Sequence, residues 1–194
     1  MRAMMGIRCR RSADVALAAV ALIVIVACAY VLPTAQAAPA EDLVTSLPGV
    51  EGNLATKMYS GYLDVSSEDH VHYVLMESES DPASDPLVLW LNGGPGASSL
   101  MGAMTELGPY IIASNTTLSY NPYAWTQSAN VLFLESPTGV GFSYCEAMKE
   151  GQQCVHNDTS TAALNIGALT KFMDKFPEYF YRDFMIWGEV RPMF

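Results

Sequence analysis

Pro86-Leu87-Val88-Leu89-Trp90-Leu91-Asn92-Gly93-Gly94-Pro95-Gly96-Ala97-Ser98-Ser99 is the stretch that decides the fold. Its first half is an unbroken apolar run too short for a helix, which predicts a central strand buried on both faces of a parallel sheet. Its second half cannot continue that strand: the glycines open backbone angles closed to other residues, and Pro95 removes a donor. The chain therefore turns sharply away at the strand's carboxyl end, where open α/β sheets bind their ligands. A glycine turn placed there presents bare N–H groups to a developing negative charge, the oxyanion-hole arrangement of acyl transfer, although an ordinary tight surface turn has the same composition.

Working outward, the same pattern recurs. Residues 129–135 repeat a buried strand, and Ser136-Pro137-Thr138-Gly139-Val140-Gly141 repeats a glycine turn. Residues 158–176 carry Leu164, Ile166, Ala168, Leu169, Phe172, Met173 and Phe176 at helical spacing before Pro177, a crossover helix. Residues 184–187 are then a third buried strand, reaching Gly188-Glu189. Strand, loop, helix and strand in this order predict a parallel α/β sheet. Upstream, 58–65 and 70–77 alternate Tyr, Val and Leu with polar residues across Ser66-Ser67-Glu68-Asp69, a hairpin signal. His70 and His72 share one face of its second strand, read as a solvated face because no third ligand accompanies them. Residues 98–107 predict a short helix ending at Gly108-Pro109, with Glu106 near its end.

The outer bounds agree with one domain. The chain has 194 residues, enough for a sizeable core, and a net charge of -10. Arg2, Arg8, Arg10 and Arg11 precede an apolar run over 15–32 and then Ala35-Gln36-Ala37, the three regions of a secretory signal peptide; an uncleaved anchor is the alternative for that run. Domains are thus expected at 1–37, the leader, and 38–194. Removing residues 1–37 moves the net charge from -10 to -13. An acidic surface without basic clusters argues against nucleic acid as a partner, and cleavage would leave no stable membrane association.

Cys145 and Cys154 remain in the mature part and are expected to pair in an oxidising compartment, two free thiols being the alternative. Their spacing is no metal signature, and His156 reads as a polar loop residue. The sequons at Asn115 and Asn157 fit the same secretory route.

These blocks carry a resemblance. Pro-Leu-Val-Leu-Trp-Leu-Asn-Gly-Gly-Pro-Gly with its following serines, Glu106-Leu107-Gly108-Pro109, Asn121-Pro122, the 129–137 strand with Gly139-Val140-Gly141-Phe142-Ser143-Tyr144, Phe176-Pro177-Glu178-Tyr179 and Gly188-Glu189 resemble, in order and spacing, the serine carboxypeptidases. The resemblance implies a truncated α/β-hydrolase fold, the N-terminal half of its mixed, mostly parallel sheet. It implies a serine-type carboxypeptidase that hydrolyses the C-terminal peptide bond of peptides and proteins through an acyl-enzyme, without a cofactor, in the secretory pathway, secreted or in a lysosome or vacuole. By the same resemblance Gly94 supplies an oxyanion N–H, while Asn92, Gly93, Glu106 and Glu189 hold the substrate's free carboxylate. Like charges held close share a proton, so a protonated acid there can donate to a carboxylate.

Two departures stand out. Ala97 occupies a position where the family has cysteine, so one disulfide cannot form. Gly188-Glu189 is followed by Val190 where the family's elbow has its nucleophile, and the triad's Ser, Asp and His are absent from this chain. Gly141-Phe142-Ser143-Tyr144-Cys145 approaches G-x-S-x-G without its last glycine, and Ser98 and Ser99 read as the polar start of a helix. The expectation is a chain without peptidase activity, with an unpaired sheet edge that makes it unstable or aggregation-prone. A noncatalytic secreted binding relative and a serine-carboxypeptidase-like acyltransferase are the alternative readings.

Overall fold

A strand apolar on both faces needs cover on both, and the elements around residues 87–91 supply it. The computed structural model describes residues 38–94, 96–114 and 117–189; the expected leader, residues 1–37, the sequon Asn115 and the position of Val190 lie outside the described residues. In chain order the strands are β1 (Leu43–Val44), β2 (Met58–Asp64), β3 (Asp69–Met76), β4 (Leu87–Leu91), β5 (Tyr110–Ser114), β6 (Thr117–Tyr120), β7 (Asn130–Leu134), β8 (Tyr144–Cys145) and β9 (Phe184–Gly188). The α-helices are α1 (Ser99–Gly102) and α2 (Asp158–Lys175).

The main sheet runs in the order β1-β2-β3-β7-β4-β9, with β8 added beside β3. It is mixed: β1, β2, β3 and β7 pair antiparallel, while β7, β4 and β9 are parallel. The hairpin β2–β3 thus joins the sheet antiparallel, and the three strands that read as buried from their sequence form its parallel part. Both β4 and β7 are fully buried along their length.

Alternation sorts the core onto two faces. Leu87, Leu89 and Leu91 of β4 lie with Tyr73, Leu132 and Leu134 beneath α2, against Leu164, Ala168, Phe172 and Phe176. Val88 and Trp90 lie on the other face with Met76, Val131 and Phe133, beneath Ala103 and Leu107. Full burial of such side chains contributes ~1.5–3 kcal/mol each. Ile166, counted at helical spacing in the sequence, is 67% exposed, because two residues beyond Leu164 the helix has turned it away from the sheet. A capping box opens α2: Asn157 Oδ1 accepts the Ser160 N–H at 2.9 Å, and Ser160 Oγ accepts the Asn157 N–H at 2.9 Å.

Three expectations need correction. First, β9 is exposed at every position, not buried. It is the outer strand, bonded to β4 along one edge, and of its side chains Trp187 meets another ring, Trp125, at 5.9 Å. Second, the face carrying His70 and His72 is not solvated. Tyr144 of β8 stacks on His70 at 4.5 Å between ring centroids, Phe142 packs edge-on against His72 at 5.3 Å, and His72 is 7% exposed. A strand pattern places two side chains on one face; it does not say that a later segment folds over that face. Third, the 98–107 helix changes character halfway. After α1 it widens into a π turn, Ala103–Leu107, closed by the Gly108 N–H to the Ala103 carbonyl at 3.1 Å. Such turns are frequent at functional sites.

Cys145 and Cys154 are joined by a disulfide with Cα atoms 5.9 Å apart. It closes the loop that begins at β8 and approaches α2. Among the described residues no helix is long and apolar enough to cross a membrane, and no group of three metal-ligating side chains occurs.

Candidate functional site

Parallel register brings the carboxyl ends of β4 and β9 side by side, with Leu91 opposite Gly188. The next residue on each strand is therefore Asn92 and Glu189. Asn92 Nδ2 donates to Glu189 Oε1 at 2.8 Å, and Trp90 Nε1 donates to Asn92 Oδ1 at 2.7 Å. The amide of Asn92 is thus fixed in orientation by partners on both of its ends, which leaves the pair preset rather than free to rotate.

The chain then swings through the glycine turn. Gly94 and Gly96 take φ of +124° and +99°, the left-handed side where a Cβ is penalised. Ala97 N–H closes the turn on the Gly93 carbonyl at 3.1 Å, and Ser98 caps α1 by accepting the Leu100 N–H at 3.1 Å. The Asn92 N–H reaches across to Ser99 Oγ at 3.1 Å. Among the described residues, no acceptor takes the Gly93 or Gly94 N–H. A turn tied at both ends with donors left over is what an oxyanion site requires.

α1 lies close over this pair. A Cβ on Gly102 would stand 2.6 Å from Trp90 Nε1 and 2.8 Å from Asn92 Oδ1, so only glycine fits there. Glu106 follows four residues later on the π turn. Its carboxylate is exposed, and its backbone carbonyl accepts from Asn121 Nδ2 at 2.8 Å. The structure therefore brings Asn92, Glu189 and the Gly93-Gly94 turn together, while no hydrogen bond among the described residues joins the Glu106 carboxylate to them.

A cleft of about 420 Å³ opens beside the turn, bordered by Gly96, Pro137, Val140 and His156. His156 Nε2 lies 2.7 Å from Thr138 Oγ1, which donates to Asp69 Oδ1 at 2.8 Å.

The sequence reading passed over Glu135. This residue follows directly on β7, is 1% exposed, and carries a charge-capable group into the core behind the glycine turn. His72 Nδ1 stands 3.0 Å from Glu135 Oε2, the Phe142 N–H donates to the same oxygen at 2.8 Å, and Ser98 Oγ donates to Oε1. An ionised carboxylate only accepts, so the proton sits on His72 Nδ1. Burial alone would push the Glu135 carboxyl up; the donors from His72, Ser98 and Phe142 outweigh it and hold the group below its ordinary value. The available signal was a glutamate ending a fully buried strand, which must find donors or not be there.

A mixed sheet with a glycine turn and a polar pair at the carboxyl ends of its parallel strands is the architecture of an α/β hydrolase. The comparisons agree and narrow it. The serine carboxypeptidase family matches residues 48–190, and the chain belongs to that family. The chain is 48% identical to the lysosomal protective protein of Mus musculus over 155 residues, which are 79% of this chain and 32% of that protein. It is 49% identical over 154 residues to serine carboxypeptidase ctsa-4.1 of Caenorhabditis elegans, again 79% of this chain and 32% of the relative. Among solved structures it resembles Kex1(delta)p, a prohormone-processing carboxypeptidase from Saccharomyces cerevisiae, with a TM-score of 0.65 and 26% identity over 81% of this chain and 36% of that one. The chain spans about a third of the length of these relatives.

Proposed function

We propose that this chain supplies the carboxylate-recognition and oxyanion half of a serine-type carboxypeptidase site. The observation that carries the reading is the 2.8 Å contact from Asn92 Nδ2 to Glu189 Oε1 beside a glycine turn whose Gly93 and Gly94 N–H groups meet no acceptor among the described residues. The bound peptide places its terminal carboxylate against Asn92, the Gly93 N–H, Glu106 and Glu189. Its scissile carbonyl oxygen then lies at Gly94 N–H. Attack by a serine converts that oxygen to an oxyanion, which the amide stabilises; the C–N bond breaks, the free amino acid leaves, and water later hydrolyses the acyl-enzyme.

The chain's own residues hold and orient the peptide. Val190 stands where the resemblance places the nucleophile, so a noncatalytic binder of peptides with a free C-terminus is the second reading.

Titration calorimetry of the chain with a short peptide and with its C-terminal amide tests the site. The acid is expected to bind at least about tenfold more tightly than the amide, a difference of ~1.4 kcal/mol, and equal affinities would sink the reading. Residues 1–37 direct the chain into the secretory pathway, where Asn115 and Asn157 receive glycans. Expression in a eukaryotic cell should yield a glycosidase-sensitive product whose N-terminus is near Ala38; retention of residues 1–37 would refute this part.

A further inference from the structure

We propose that Glu135 is the positioning residue of the glycine turn, transmitting the rigidity of the β2–β3 hairpin to it through Ser98. The proposal rests on the reading of Gly94 as the oxyanion donor, with Gly93 facing the substrate carboxylate, for its purpose, though not for its test.

The network is continuous. On the hairpin, Ser60 Oγ and His72 Nε2 are 3.0 Å apart, and His72 Nδ1 holds Glu135 Oε2. Around the second turn, the Phe142 N–H holds that oxygen too, and Ser143 accepts the His72 N–H at 2.8 Å while donating to the Glu135 carbonyl at 2.5 Å. On the glycine turn, Ser98 donates to Glu135 Oε1 and caps α1 with the same oxygen. One carboxylate thus joins β3, the turn after β7 and the turn after β4. Gly141 is part of the arrangement, because a Cβ there would stand 1.8 Å from Glu135 Oε1.

The turn needs such a hold. Gly93, Gly94 and Gly96 lower the cost of its shape and raise the number of other shapes available, and α1 is a single turn that cannot anchor them alone. The Asn92 to Ser99 bond fixes the pivot and the Ser98 to Glu135 bond fixes the exit, so the Gly94 N–H direction is set by two adjacent serines with different partners. A buried, charge-assisted acceptor suits this better than a neutral one, since such bonds are shorter and stronger. It also accounts for residues 141–143, which place a glycine and an amide beside one carboxylate and a hydroxyl on the backbone carbonyl of the same residue.

Hydrogen–deuterium exchange of the 194-residue chain, read by mass spectrometry, tests the proposal. Ser98→Ala, Glu135→Gln and His72→Phe are each expected to speed exchange over residues 93–100 by roughly tenfold, the equivalent of one charge-assisted hydrogen bond, with residues 158–175 unchanged. His72→Phe is the decisive variant, because His72 touches no residue of the turn. Ser98→Thr, which restores the hydroxyl, should restore protection. Exchange over 93–100 within about threefold of the parent in every folded variant, or acceleration of 158–175 by the same factor, overturns the proposal; if Glu135→Gln does not fold, the other two decide. Failure of peptide binding with the turn loosened as described would remove the carboxypeptidase reading and leave the positioning role standing.

Discussion

The side chains of Asn92 and Glu189, 97 residues apart in sequence, meet at 2.8 Å because the strands that end before them are parallel and in register. Trp90 Nε1, two residues back on the same strand, holds the other end of the Asn92 amide at 2.7 Å. Moving either strand by one residue would break the contact and turn its apolar set to the wrong face, so the site inherits the precision of the core.

Gly102→Ala tests that inheritance. Helix propensity alone favours alanine by ~1 kcal/mol, which would raise the melting temperature. The Cβ would however stand 2.6 Å from Trp90 Nε1 and 2.8 Å from Asn92 Oδ1. Overpacking of this kind costs ~1–3 kcal/mol, so the melting temperature is expected to fall. Displacement of Asn92 should also weaken binding of a free peptide carboxylate by roughly tenfold. A variant that melts higher and binds unchanged would show that α1 moves away freely.

Phe172→Ala addresses the layer beneath the sheet. Phe172 is fully buried, stacks on Phe176 at 4.8 Å and meets Tyr73 edge-on at 6.0 Å. Its truncation is expected to cost ~3–5 kcal/mol in urea unfolding. Ile166→Ala on the same helix, at an exposed position, should change stability by less than ~0.5 kcal/mol. Equal effects would mean that α2 packs through a different face.

These two helices show what was legible in the sequence and what was not. α2 and the strands β4 and β7 were readable because their patterns are long or unbroken and their caps are chemical. The glycine turn was readable because no strand or helix accommodates it. The exposure of Ile166 and of β9 was not, since both depend on which neighbours cover an apolar residue. The burial of His72 was hidden for the opposite reason: a polar residue on an alternating strand reads as solvated until β8 and Phe142 fold over it. Glu135 was the costliest omission, because its partners lie at sequence separations of 7, 37 and 63 residues.

Asn157 has two roles that one pair of substitutions separates. Its Oδ1 caps α2, whereas a glycan would attach through Nδ2. Asn157→Ala should cost ~1 kcal/mol of stability, and Asn157→Asp, which keeps a capping oxygen, should cost little while abolishing any glycan. Loss of stability in both to the same extent, measured on the unglycosylated chain, would place the stabilisation outside the cap.

Glu77 and Glu135 should give stability profiles of opposite sign in acid. Burial holds the Glu77 carboxyl above its ordinary value of 4.5, with the Glu178 charge adding to it and Lys57 and the Tyr59 hydroxyl opposing it. A raised folded-state pKa makes the ionised group unfavourable to the fold, so the cost grows as pH rises through that value and disappears below about 4.5. Glu77→Gln is therefore expected to raise the melting temperature at pH 7, and the gain should vanish near pH 4. Glu135 is held below its ordinary 4.5, so its contribution is complete above 4.5 and is lost as pH falls through the lower, folded-state value. Glu135→Gln should accordingly lower the melting temperature at pH 7, and the deficit should shrink only once the parent itself begins to protonate in stronger acid. Scanning both variants and the parent between pH 3 and about pH 8 measures the two trends in one experiment. A Glu77→Gln variant less stable than the parent at pH 7 would show that Lys57 and Tyr59, rather than burial, dominate that carboxylate. A Glu135→Gln deficit that disappears already near pH 6 would mean that the donors from His72, Ser98 and Phe142 do not outweigh the burial of Glu135.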